Sequence, residues 1–132
     1  MNIQEAIYSI LTGDATLTAM LSSSTAIFNE VAPQDTPNPC IVFTESGNTF
    51  NPTKSGVSTL DEPDLQVDIY ADTAIVRNQI AARVRTVLDR YSGTIGTIKI
   101  QQIDFVGYFN IYDDLAESYR CSQDYSIRHN LA

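Results

Sequence analysis

Tryptophan is absent from this 132-residue chain, histidine occurs once and cysteine twice. The single histidine, His129, has no neighbour in sequence that would orient it against a serine or cysteine, which argues against a nucleophile–base pair. It is expected to be a polar residue beside an edge strand. Cys40 and Cys121 are too few for a disulfide framework and lack metal-ligand spacing, so two buried thiols are expected. Lysine is represented only by Lys54 and Lys99, and eight basic against sixteen acidic residues leave a net charge of −8. Tight non-specific binding of nucleic acid needs clustered cations that displace phosphate counterions, so a DNA-binding surface is not expected. A surface that DNA passes without sticking is compatible with this charge. No apolar run approaches the ~20 residues of a membrane span. The opening Met-Asn-Ile-Gln-Glu-Ala has no basic segment ahead of an apolar one and predicts no signal peptide. No glycine-rich phosphate loop follows a strand pattern, and Gly93-Thr-Ile-Gly96 reads as a plain turn.

What is present is a 43% hydrophobic chain with clear periodicities, enough for a single domain over residues 1–132 with its own core. In Asp64–Tyr70, Leu65, Val67 and Ile69 alternate with Gln66, Asp68 and Tyr70, which predicts a strand with one buried face. From Asp72 the period becomes 3.6. Val76, Ile80, Val84, Val87, Leu88 and Tyr91 fall on one side of a long helix, with Asp72 or Thr73 as its N-cap and Gly93 as its left-handed end. Ile3, Ala6, Ile7, Ile10 and Leu11 predict an N-terminal amphipathic helix over 2–12, ended by Gly13. Asp14 can cap a short second helix carrying Leu17, Met20 and Leu21.

Strands are expected over 26–32 and 40–44, separated by Pro33–Pro39, where three prolines in seven residues forbid helix and central strand alike. Residues 45–63 lose the apolar period and carry turn residues, which fits a long loop or a projecting hairpin. Thr97–Val106 alternates in two phases that slip at Gln101-Gln102, predicting a β-bulge. An aromatic-rich stretch over 107–112, a turn at 113–117 and a final strand from Cys121 complete the chain. The order predicts an α+β fold: a mostly antiparallel sheet packed on one side by the long helix and the N-terminal helix, with the 45–63 segment projecting.

Chemistry-bearing clusters are sparse. Asp61, Glu62 and Asp64 lie close in sequence, as do Asp113, Asp114 and Glu117, and either set could in principle serve acid–base work or hold a divalent cation. Neither has a calcium-loop pattern, and a solvated acidic turn explains both. Arg77 falls in the helix sector of Val84 and Leu88, where a charge must pair, snorkel or meet another chain. Phe50, Tyr70, Tyr108, Phe109 and Tyr112 occupy presumed outward strand and loop positions, which suggests protein–protein contact. No catalytic, metal or cofactor residue is assigned.

As a whole pattern the chain resembles the tail completion (tail terminator) proteins of long-tailed bacteriophages. The likeness runs through Leu11-Thr-Gly-Asp-Ala-Thr-Leu17, Val31-Ala-Pro33, Pro37-Asn-Pro-Cys-Ile-Val-Phe43, Leu65-Gln-Val-Asp-Ile-Tyr-Ala71, Tyr112-Asp113 and Arg120-Cys-Ser-Gln-Asp-Tyr125. These motifs are structural, and their order and spacing carry the likeness. The resemblance implies a non-enzymatic virion protein without cofactor, assembled in the bacterial host cytoplasm. It would form a hexameric ring at the head–tail interface, with the tail tube protein below, the head-completion or connector protein above and DNA passing through. Ring contacts are expected at Phe50, Lys54 and Leu60 in the projecting segment and at Arg77 and Tyr112. Rival readings are another connector or minor tail component, a small hydrolase using the acidic turns, and a stand-alone ligand-binding domain.

Overall fold

The computed structural model describes residues 2–53, 56–115 and 117–131, and the side chains of 47–61 and of 131 lie outside that description. Two helices open the chain. α1 (Ile3–Thr12) is capped by Asn2, whose side chain accepts the Glu5 N–H, and it buries Ile3, Ala6, Ile7, Ile10 and Leu11. It stops at Gly13, where a Cβ would lie 2.9 Å from the Ser9 carbonyl oxygen, too close for any other residue without a shift. α2 (Ala15–Ala19) is capped by Asp14, which accepts the Thr16 N–H, and its Leu17 is buried.

The strands are β1 (Ile27–Asn29), β2 (Cys40–Thr53), β3 (Gly56–Ala71), β4 (Gly93–Ile95), β5 (Ile98–Asp113) and β6 (Ser118–Leu131). They form one sheet in the order β1-β2-β3-β6-β5-β4. β1 runs parallel to β2, and every other neighbouring pair is antiparallel. The 45–63 segment is thus a hairpin rather than a loop, with Glu45 opposite Leu65 and Phe50 opposite Asp61. β1 is shorter than the expected 26–32, because Glu30 turns to a positive φ of 71° directly after it.

α3 (Ala74–Leu88) is capped by Thr73, which accepts the Val76 N–H, and buries Arg77, Ile80, Ala81, Val84 and Leu88. Its end differs from expectation. Asp89 is extended, Arg90 takes the left-handed φ of 63°, and Gly93 opens β4 instead of closing the helix. The cause is the sheet: the Arg90 N–H donates to the Ile103 carbonyl and the Ile103 N–H to the Tyr91 carbonyl, so the chain must reverse at once to run beside β5. The slip at Gln101 is a register shift between Ile100 and Gln102, and a second shift lies between Phe105 and Gly107.

One face of the sheet is the core. Cross-strand rows such as Phe43–Val67–Gln123 and Ile41–Ile69–Cys121 run under the helices, and Leu65 faces Tyr125 in the same layer. Within it, Gln123 Nε2 donates to the Ala81 carbonyl at 2.9 Å and the Tyr125 hydroxyl donates to Gln123 Oε1 at 2.9 Å, tying α3 to β6. His129 also corrects an expectation: β6 lies between β3 and β5, and His129 is buried on it opposite Ile100.

Candidate functional site

α3 presents two clusters beside the sheet. At its N-terminal end the buried Arg77 guanidinium bonds Asn78 Oδ1 through Nε (3.1 Å) and a terminal nitrogen (3.0 Å). It lies 5.7 Å from the Tyr119 ring centroid, and Tyr119 packs edge-on against Tyr112 at 5.0 Å. The stack brings together two of the expected contact residues, Arg77 and Tyr112, through Tyr119, which sequence reading missed. Nothing short of the β5–β6 register, in which Tyr112 faces Tyr119, reveals that link. Phe50 and Leu60 have side chains outside the described set, and Lys54 lies outside the described residues altogether.

At the C-terminal end of α3 the Arg85 guanidinium sits 3.9 Å from the Phe105 ring centroid. Asp89 Oδ1 accepts the Phe105 N–H at 3.1 Å. Between these clusters a groove of about 570 Å³ runs between Asn78, Ala82, Arg85 and Thr86 on α3 and Tyr108 and Asn110 on β5. It exists because α3 covers β3 and β6 but stops short of the far half of β5. That half is exposed on both sides: Val106, Tyr108, Phe109, Ile111 and Tyr112 all project to solvent.

The outer face of the sheet is polar at its centre. Asp68 is buried there, receives Gln66 Nε2 at 3.1 Å and pairs with Arg120 at 3.2 Å. Arg120 in turn lies 5.8 Å from the Tyr70 ring centroid, so Tyr70 flanks an ion pair. A second hollow of about 590 Å³ separates this face from the 30–38 segment.

Among the described residues neither acidic set is seen to converge on a reaction centre. Asp113 Oδ1 accepts the Leu115 N–H within the β5–β6 turn, Asp64 is exposed, and the Asp61 side chain lies outside the description. Among the described residues no group of three or more His, Cys, Asp or Glu side chains is placed to hold a metal ion. Both cysteines are free and buried, and burial raises their pKa values, that of Cys40 to about 11, so neither is poised as a thiolate. No helix among the described residues is long and apolar enough to cross a membrane.

A closed core under two helices and a strand end rich in exposed aromatics define a small α+β domain, and among the described residues no set of polar groups converges on a reaction centre. Residues 5–130 match the family described as "Tail completion protein gp17", and the chain belongs to that family of structural virion proteins. Among solved structures, it is similar to a chain of the "Virion of native gene transfer agent (GTA) particle", with a TM-score of 0.80 over 96% of this chain and 93% of that one. At 19% identity this likeness establishes the shared fold. A comparison with curated protein sequences finds no match.

Proposed function

We propose that copies of this chain close into a hexameric ring on the head-proximal end of a phage tail tube. There the ring ends tube growth and presents a surface to the head-completion or connector protein. The observation that carries this reading is the family match across nearly the whole chain, residues 5–130. The net charge of −8 supports a conduit role, because an acidic wall repels DNA within a Debye length of about 8 Å instead of adsorbing it. The Arg77–Tyr119–Tyr112 stack supports the assignment of Arg77 and Tyr112 to ring contacts, with Tyr112 exposed and Arg77 bracing it from beneath. Phe50, Lys54 and Leu60 in the β2–β3 hairpin complete the proposed contact set.

Electron microscopy of the purified protein, alone and mixed with tail tubes, tests the reading. Rings in the first sample and capped tubes of arrested length in the second are the expected result. Tubes that keep growing with their ends bare would overturn it.

A further inference from the structure

Resting on the ring reading, we propose that the far half of β5, Val106–Tyr112, is a docking edge that takes up a strand from the next copy of this chain, namely the uncovered half of β2 beginning at Thr44. β4 pairs with β5 only from Ile98 to Ile100, the Arg90–Tyr91 segment adds bonds at Ile103, and Asp89 takes the Phe105 N–H. Beyond Phe105, no described strand lies on that side. The same geometry fixes which groups are open. Ile103 and Phe105 direct their backbone N–H groups away from β6. Carrying that alternation through the bulge before Gly107 points those of Tyr108, Asn110 and Tyr112 outward as well.

An unpaired edge of this length is ordinarily blunted by charge, proline or a covering element. Past the bulge between Phe105 and Gly107, this one has none of these among the described residues: residues 105–112 contain no charged residue and no proline. Instead Val106 is 68% exposed, Tyr108 61%, Phe109 51%, and Ile111 and Tyr112 47% each. Tyr108 and Tyr112 stand on the helix side of the sheet and Phe109 and Ile111 on the other. A helix or loop laid on one face leaves the second bare, whereas an added strand brings side chains to both.

The occupant follows from the opposite edge of the same sheet. β1 covers β2 only from Ile41 to Phe43, so among the described residues no strand pairs with that edge of β2 from Thr44 onward, and residues 46–51 are likewise uncharged in a chain of net charge −8. Counting along the order β2-β3-β6-β5, β2 and β5 run in opposite directions. β5 of one copy therefore meets β2 of the next in antiparallel pairing, with the helix-covered face on the same side. Such head-to-tail contact repeats from copy to copy and generates rings, while β5 against β5 would stop at a twofold dimer.

The test is residue-resolved amide exchange of the full-length protein below and above its assembly concentration, with sedimentation giving the oligomer size. Slowing of the Tyr108, Asn110 and Tyr112 amides by at least tenfold on assembly is expected. Asn110→Pro removes one outward donor without touching the bonds to β6, and should raise the concentration needed for assembly at least tenfold with the monomer's circular dichroism unchanged. Rings whose β5 amides exchange as in the monomer overturn this inference and leave the ring reading standing. A β5-paired dimer also overturns it, and a protein that remains monomeric at all concentrations overturns both.

Discussion

Replacing Gln123 by leucine should expose how tightly α3 depends on one buried side chain. Gln123 is 4% exposed and spans two elements, donating to the Ala81 carbonyl and accepting from the Tyr125 hydroxyl. Leucine keeps the volume but severs both bonds and leaves the Tyr125 hydroxyl, in a residue 1% exposed, without its acceptor. The lost bond to the helix carbonyl costs about 1 kcal/mol, because that oxygen keeps its helical partner, and orphaning the phenol costs about 1–2 kcal/mol more. A total of about 2–3 kcal/mol corresponds to a Tm lowered by roughly 8–12 °C for a domain of this size. Tyr125→Phe alone strands the Gln123 oxygen and should cost about 1–2 kcal/mol. The double variant Gln123→Leu with Tyr125→Phe should cost no more than Gln123→Leu alone, since no polar atom of the pair is left to satisfy. Urea unfolding of the four proteins gives a coupling energy of about 1–2 kcal/mol on this reasoning. Additive losses within ~0.5 kcal/mol would refute it, and the relay would then be incidental to the attachment of α3.

Three other outcomes follow from particular contacts. Asp14 caps α2 and receives Arg83 at 2.9 and 3.0 Å, and the Arg83 hydrogen bond is the main cause that holds its carboxyl below the ordinary 3.8. A depressed native pKa stabilises above the unfolded value and is lost as pH falls through the folded one, so Arg83→Ala should cost about 1 kcal/mol at pH 7 and progressively less below pH ~4. An unchanged wild-type-to-variant gap at pH 3, read by thermal unfolding, would count against the pair. Ellman's reagent at pH 8 should find no thiol in the folded protein and two in denaturant, because Cys40 and Cys121 are both buried with raised pKa values; rapid colour from the native protein would contradict that burial. Arg77→Met keeps the buried stem and removes the cation over Tyr119, so ring assembly should weaken about tenfold with a Tm shift of only a few degrees. Rings of undiminished stability in size-exclusion chromatography would remove Arg77 from the contact set.

Local periodicity made much of this fold legible. Leu65, Val67 and Ile69 alternate because β3 has a core face and an outer face, and Ile80, Val84 and Leu88 recur because α3 is buried along one stripe. The phase slip at Gln101 marked a real bulge. The failures lie where distant residues decide. Gly93 looked like the helix end, yet Arg90 adopts the left-handed backbone because Ile103, thirteen residues on, accepts its N–H. His129 shares the parity of Cys121, Tyr125 and Ile127, but the polar Gln123 interrupts that apolar series, and its buried partners belong to α3 and β6 itself. The exposed end of β5 was half visible: sequence position flagged Tyr108, Phe109 and Tyr112 as outward, while the bare backbone edge beside them depends on how short β4 is.

The position of β6 has a consequence for timing. The two hairpin halves of the sheet meet along the seam between β3 and β6, so residues 61–71 wait for residues 119–129 before their second neighbour exists. A nascent polypeptide that has emerged only as far as β5 holds two unjoined half-sheets and no finished wall. If the proposed ring forms, such a fragment lacks the finished sheet that assembly would use, and interrupted synthesis is expected to leave protease-sensitive pieces that do not join it.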